Sequence, residues 1–137
     1  MIIYINIKQI GKRKDVVDKI PFIYESKPYN LRELIRDTVT ICVNDYTNRM
    51  VKGEHVLEQG QITDMAMVGK IAFGIIYGEK NPNIQEAIDV AITAFQDGLF
   101  RVFINEEEIC ELDEAINISE EDTVTFIRLT MLAGRMW

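Results

Sequence analysis

The sequence predicts an α+β domain in which strands at both ends of the chain flank a helical middle. Three observations lead there. Residues 2–9 alternate apolar and polar side chains with the period of two of a half-buried strand. Residues 31–48 bring Leu31, Leu34, Ile35, Thr38, Val39, Cys42, Val43 and Tyr46 round at helical spacing. Residues 99–130 return to short β-branched and aromatic runs separated by polar turns.

In the first run Ile3, Ile5 and Ile7 face one way and Tyr4, Asn6 and Lys8 the other. Gly11-Lys12-Arg13-Lys14-Asp15 is a polar turn, and residues 16–25 form a second run, so the two predict a hairpin. Pro21 has no N–H for a ladder, which puts the second strand at an edge or at a bulge. Asn30 and Glu33 have the spacing of a capping box at the start of the main helix. A weaker helix is expected over residues 61–74, with Ile62, Met65, Ala66, Gly69, Ala72 and Phe73 as its stripe. Asn81-Pro82 reads as the start of a third helix, because proline is suited to a first helical turn, and Gly98 reads as its C′ residue. Residues 99–105 read as a strand, residues 105–108 as a turn and residues 109–112 as a short partner strand. An irregular connection over residues 112–118 and the turn Glu120-Glu121-Asp122 lead into the last strand, residues 123–130.

With 137 residues the chain fits one domain, residues 1–137, carrying a helical insertion at about 54–98. Apolar residues make up 47% and charged residues 27%, a globular rather than a disordered composition. A net charge of −7 opposes phosphate neutralisation and argues against a nucleic-acid binder; it favours a basic protein surface as partner. No apolar run approaches the roughly 20 residues of a membrane span, and Met1-Ile2-Ile3-Tyr4-Ile5 lacks the features of a secretory signal. With only Cys42 and Cys110, no disulfide framework is expected, and the reading is a cytoplasmic protein.

Strand, strand, helix, strand, strand, strand is the element order of the β-grasp, or ubiquitin-like, fold: a mixed sheet around one main helix. Residues 101–134 resemble, in particular, the carboxy-terminal half of the molybdopterin-synthase small subunit and thiamine sulfur-carrier group. The resemblance rests on Arg101-Val102-Phe103-Ile104-Asn105, the irregular segment from Leu112 to Ile118, and the turn Glu120-Glu121-Asp122 into Thr123-Val124-Thr125-Phe126-Ile127. It extends into Met131-Leu132-Ala133-Gly134. Glu121-Asp122 stands where the group has Gly-Asp, and Ala133 where it has the first of two glycines. The resemblance implies a central last strand, a tail presented to a partner, and activation of the Gly134 carboxylate by an adenylating enzyme. Arg135, Met136 and Trp137 would first have to be removed. The competing reading of Gly134 is a loop glycine with Trp137 packed on the body.

Other candidates are weaker. His55 is the only histidine and lacks the companions of a zinc site, so it reads as a loop residue. Cys42 falls on the apolar helical face and reads as core; Cys110 is core or half exposed. Two cysteines are too few for an iron–sulfur cluster. Lys12-Arg13-Lys14 reads as solvated turn charge. Gly69, Gly74 and Gly78 lack the spacing of a dinucleotide fingerprint. Glu106-Glu107-Glu108 and Glu120-Glu121-Asp122 are two acidic turns that would meet at one sheet end, open to a basic partner or a hard cation. Met65, Met67 and Phe73 read as core or as a docking face. The expected function is a non-enzymatic protein-interaction module without cofactor or metal, whose sheet face and tail, through Leu132 and Trp137, meet a protein partner or a second copy. The alternative is a sulfur carrier or protein modifier activated at Gly134.

Overall fold

The computed structural model describes residues 1–9, 17–51, 64–75, 77 and 83–129. Strands β1 (Ile2–Gln9) and β2 (Val17–Ile23) are followed by helices α1 (Leu31–Val51), α2 (Asp64–Phe73) and α3 (Ile84–Gln96). Strands β3 (Phe100–Ile104), β4 (Glu107–Ile109) and β5 (Thr123–Arg128) complete the order. The five strands form one mixed sheet in the order β2-β1-β5-β3-β4. The outermost segments of the chain therefore pair at the centre: β1 and β5 run parallel, and every other pairing is antiparallel.

β2 lies at the edge, as Pro21 requires. Met1 and Tyr24 exchange both backbone hydrogen bonds, so in the alternating ladder Pro21 and Ile23 turn their backbone groups to the open side. The missing donor of Pro21 thus faces no partner strand. A bulge follows where Ile5 pairs with Ile20 but Ile7 with Val17, and Lys19 adopts a φ of 52° to make it.

α1 starts on the expected cap. The Glu33 amide donates to Asn30 Oδ1 at 2.9 Å, and Glu33 Oε1 accepts from the Tyr29 amide at 2.9 Å. The first-turn amide of Arg32 donates to the Leu112 carbonyl, and Asn30 bridges to Ala115. The irregular segment after β4 is thereby bound to the start of α1, and it sinks Leu112, Ile116 and Ile118 into the core. Its apolar residues are spaced by neither strand nor helix period, which is why no regular element forms there.

α3 begins later than the proline predicts. Asn83 is its N-cap, its side chain accepting from the Glu86 amide at 2.9 Å, while Asn81 and Pro82 lie outside the described residues. Its end is as expected: Gly98 has a φ of 78°, its amide donates to the Phe95 carbonyl, and the Leu99 amide to the Ala94 carbonyl. These two bonds make a Schellman motif.

A single apolar core joins every layer. Ile3, Ile5, Ile7, Phe22, Val102, Val124 and Phe126 form the inner sheet face, and Leu31, Leu34, Ile35, Val39 and Cys42 come from α1. Val68, Ala72 and Phe73 of α2 and Ala91 and Ala94 of α3 belong to the same cluster, so the two helices between α1 and β3 help to build the core. Phe73, Phe100 and Phe126 meet edge to face at centroid separations of 5.1–6.1 Å.

Two turns differ in an informative way. The sequence reading puts residues 105–108 in the turn after β3; the structure closes it with Asn105 and Glu106 alone, because Ile104 pairs with Glu107. Glu107 and Glu108 are strand residues, and β4 ends at Ile109, which leaves Cys110 outside the strand and exposed. Asn105 takes the left-handed conformation expected of it, with φ 56°. Glu121, at the position of the resembled group's turn glycine, is also left-handed, with φ 69°. A side chain there costs about 1–2 kcal/mol, whereas glycine adds about 0.5–1 kcal/mol of unfolded-state entropy. Glu121→Gly should therefore raise stability by roughly 0.5–1 kcal/mol, read as a higher urea midpoint at unchanged slope.

Candidate functional site

Strand alternation sends Ile3, Ile5 and Ile7 of β1 into the core and leaves Ile2, Tyr4, Asn6 and Lys8 on the opposite face. Register extends this face across the sheet. Tyr4 lies between Pro21 and Thr123, Asn6 beside Thr125 and Lys8 beside Ile127. Thr125 in turn neighbours Phe103, and Ile127 neighbours Arg101. Ile23, beside Ile2, is the most exposed large apolar residue among those described, at 68%. Among the described residues no helix covers this side: α2 and α3 contribute to the core on the inner side, along with α1. The open face is a band of Ile2, Ile23, Pro21, Tyr4, Phe103 and Ile127 among threonines and one asparagine.

Polar contacts fix the band. Asn6 Oδ1 accepts from the Lys19 amide at 2.6 Å, and Asn6 Nδ2 reaches Thr125 Oγ1 at 3.5 Å, so one side chain ties the β2 bulge to the centre of the sheet. Arg101 and Glu108 approach to 3.9 Å across β3 and β4.

The two ends of the face differ in charge. The acidic turns meet as expected: the Asn105 amide donates to the Thr123 carbonyl at 2.6 Å, and the Thr123 amide donates to Asn105 Oδ1 at 3.2 Å. The Ile2 amide donates to Glu120 Oε2 at 3.0 Å, and the Ser119 amide to Asp122 Oδ2 at 2.8 Å. Glu106, Glu107, Glu120 and Glu121 are exposed at this end. Among the described residues, no three His, Cys, Asp or Glu side chains stand close enough to hold a metal ion. The opposite end carries Lys8 and Arg101, with Asp18 and Lys19 in the adjoining part of β2.

The remaining reactive groups are distributed rather than gathered. A groove of about 440 Å³ is lined by Phe95, Arg101, Glu108, Cys110 and the Arg32–Asp113 pair. Arg32 Nε donates to Asp113 Oδ1 at 3.0 Å, which holds the Asp113 carboxyl below and the Arg32 guanidinium above their usual ranges. Cys42 is wholly buried, and desolvation raises its thiol far above the ordinary range, an inert arrangement. The Tyr24 hydroxyl shares a buried hydrogen bond of 2.6 Å with Thr38 Oγ1, and burial pushes its ionisation upward. At the end of β5, Arg128 Nη1 donates to the Ala72 carbonyl at 3.2 Å, so a half-buried cation caps the carboxyl end of α2.

Gly134, Leu132 and Trp137 lie outside the described residues, as do His55, Gly78 and Lys12-Arg13-Lys14. Met65 and Met67 are partly buried against the core, and Phe73 is wholly within it. Tyr4, Phe103 and Ile127 were not singled out from the sequence. Their alternation was visible, but it does not say which strands stand side by side. No helix among the described residues is long and apolar enough to cross a membrane. The chain matches no protein-family model, and no curated protein or solved structure is significantly similar to it.

Proposed function

We propose that the chain is a β-grasp, ubiquitin-like module of the cytoplasm that binds another protein through the open face of its sheet and performs no chemistry itself. The observation that carries this reading is the asymmetry of the sheet. One face is buried; the other holds an apolar band of the exposed Ile23 and the half-buried Tyr4, Phe103 and Ile127, with no element among the described residues over it. Such a band within a polar rim is the anatomy of a binding patch. The strand order β2-β1-β5-β3-β4 with parallel β1 and β5 supports the β-grasp assignment, since the main helix α1 packs across one side of a sheet whose first and last strands are central.

Crosslinking in the native source tests the reading. The wild-type chain should capture a defined partner in fixed proportion, and Phe103→Glu with Ile127→Glu should abolish the adduct without changing the far-ultraviolet circular dichroism. An adduct indifferent to these substitutions would place binding elsewhere.

A second reading has one observation in its favour. β5 lies between β1 and β3, so the last strand is central, and the Leu129 amide just beyond it is still held by the Leu99 carbonyl at 3.0 Å. A tail issuing from a central strand suits presentation of Gly134 to an adenylating enzyme. The intact mass of the native protein discriminates: a species ending at Gly134, free or as thiocarboxylate, supports the carrier, and retention of Arg135, Met136 and Trp137 in every condition overturns it.

A further inference from the structure

The open face is complementary to itself. Its apolar band lies between an acidic end, with Glu106, Glu107, Glu120 and Glu121, and an end carrying Lys8 and Arg101. Arg101 remains 59% exposed despite its contact with Glu108.

Edge-to-edge association is disfavoured on both sides. β2 presents the missing donor of Pro21 and the Lys19 bulge; β4 is three residues long and bears Glu107 and Glu108. Proline, bulges, charge and brevity are the devices by which sheets avoid edge pairing. The face is left as the surface on which strands of a second copy can lie.

We propose that this face is a self-association surface, on which two copies pack about a two-fold axis lying in the interface and running across the strands. Strands of the two copies then run in opposite senses. The acidic turns of each copy lie over Lys8 and Arg101 of the other, and the Tyr4–Phe103–Ile127 band meets its equivalent at the centre. A two-fold interface needs this self-complementarity, since each contact occurs twice. The net charge of −7 opposes approach at long range. At physiological salt the Debye length is about 8 Å, so bulk repulsion is screened while pairs in contact persist. The proposal rests on the interaction-module reading and names its partner as a second copy.

Charge reversal tests the geometry in sedimentation velocity at concentrations up to roughly 1 mM, enough to half-form a complex of millimolar Kd. Wild type should dimerise, and Phe103→Glu should make it monomeric. Lys8→Glu/Arg101→Glu leaves both ends acidic, and Glu106→Lys/Glu107→Lys/Glu121→Lys turns three of the four exposed glutamates of the acidic end into cations and leaves both ends basic, so each variant alone should be monomeric. Mixed in equal amounts, the two should form a heterodimer with a Kd comparable to that of wild type, since each end again meets its opposite as it does in the wild-type dimer. A wild type and a mixture that both stay monomeric overturn self-association. The crosslinking test then separates the readings: an adduct abolished by Phe103→Glu with Ile127→Glu preserves a foreign partner on this face. A dimer that survives Phe103→Glu overturns the assignment to this surface.

Discussion

Replacing Phe73 by alanine should remove about 3–5 kcal/mol of folding stability, the range for emptying a buried aromatic site. Phe73 is only 1% exposed and stacks edge to face on Phe126 at 5.1 Å and on Phe100 at 5.5 Å. It is the last residue of α2, which comes from the part of the sequence that reads as an insertion, yet its ring closes the core over β3 and β5. Urea unfolding should show a much lower midpoint for Phe73→Ala, while Phe103→Ala on the open face shifts it by less than about 1 kcal/mol. If Phe73→Ala leaves the protein unfolded, Phe73→Leu, which keeps most of the volume, should give a folded variant with an intermediate loss. A Phe73→Ala variant as stable as wild type would show that α2 is an appendage rather than part of the core.

Gly69→Ala should also be destabilising, although alanine is the better helix former by about 1 kcal/mol. Gly69 lies mid-way along α2 where that helix crosses α1. A methyl group there would overlap the Tyr77 hydroxyl and come within 2.9 Å of Ile75 Cδ1 and 3.1 Å of Cys42 Cβ. The isoleucine tip can rotate away. Cys42 Cβ cannot, because it is attached to the α1 backbone, and the Tyr77 ring is stacked on Tyr46 at 4.5 Å. Overpacking of this kind costs about 1–3 kcal/mol and separates the helices, so the expected net loss is roughly 1–2 kcal/mol. The Tyr77 hydroxyl is buried with no hydrogen-bond partner among the described residues, so Tyr77→Phe alone should be neutral or slightly stabilising. In the double variant it should recover part of the loss from Gly69→Ala. Additive effects in that thermodynamic cycle would mean that Gly69 and Tyr77 do not touch.

What could be read in advance divides along physical lines. The period of β1, the face of α1, the Asn30–Glu33 cap and the Gly98 terminus were legible because each is a local preference written within a few residues. The extent of the β3–β4 turn was not, since Glu107 and Glu108 have low strand propensity and are held in β4 by pairing with Ile104 and Phe103. The start of α3 was misplaced by two competing signals, Pro82 and the Asn83 cap, of which the cap marks the boundary. The glycine missing at residue 121 was noticed, but its consequence, a glutamate held at φ 69°, became visible only with the backbone in place.

By itself the sequence determined the element types and their order, the edge character of β2 through Pro21, and the acidic balance of the chain, for these depend on local chemistry and on totals. Tertiary structure alone decided that β1 lies parallel beside β5, that α2 and α3 complete the core, and that no element among the described residues covers the apolar band between the acidic turns and Lys8 and Arg101. The reason is that a strand's alternation says which residues share its face but not which strand lies beside it. That choice is made when Ile5 settles against Val124 and Val102 against Phe126, contacts between residues far apart in the chain.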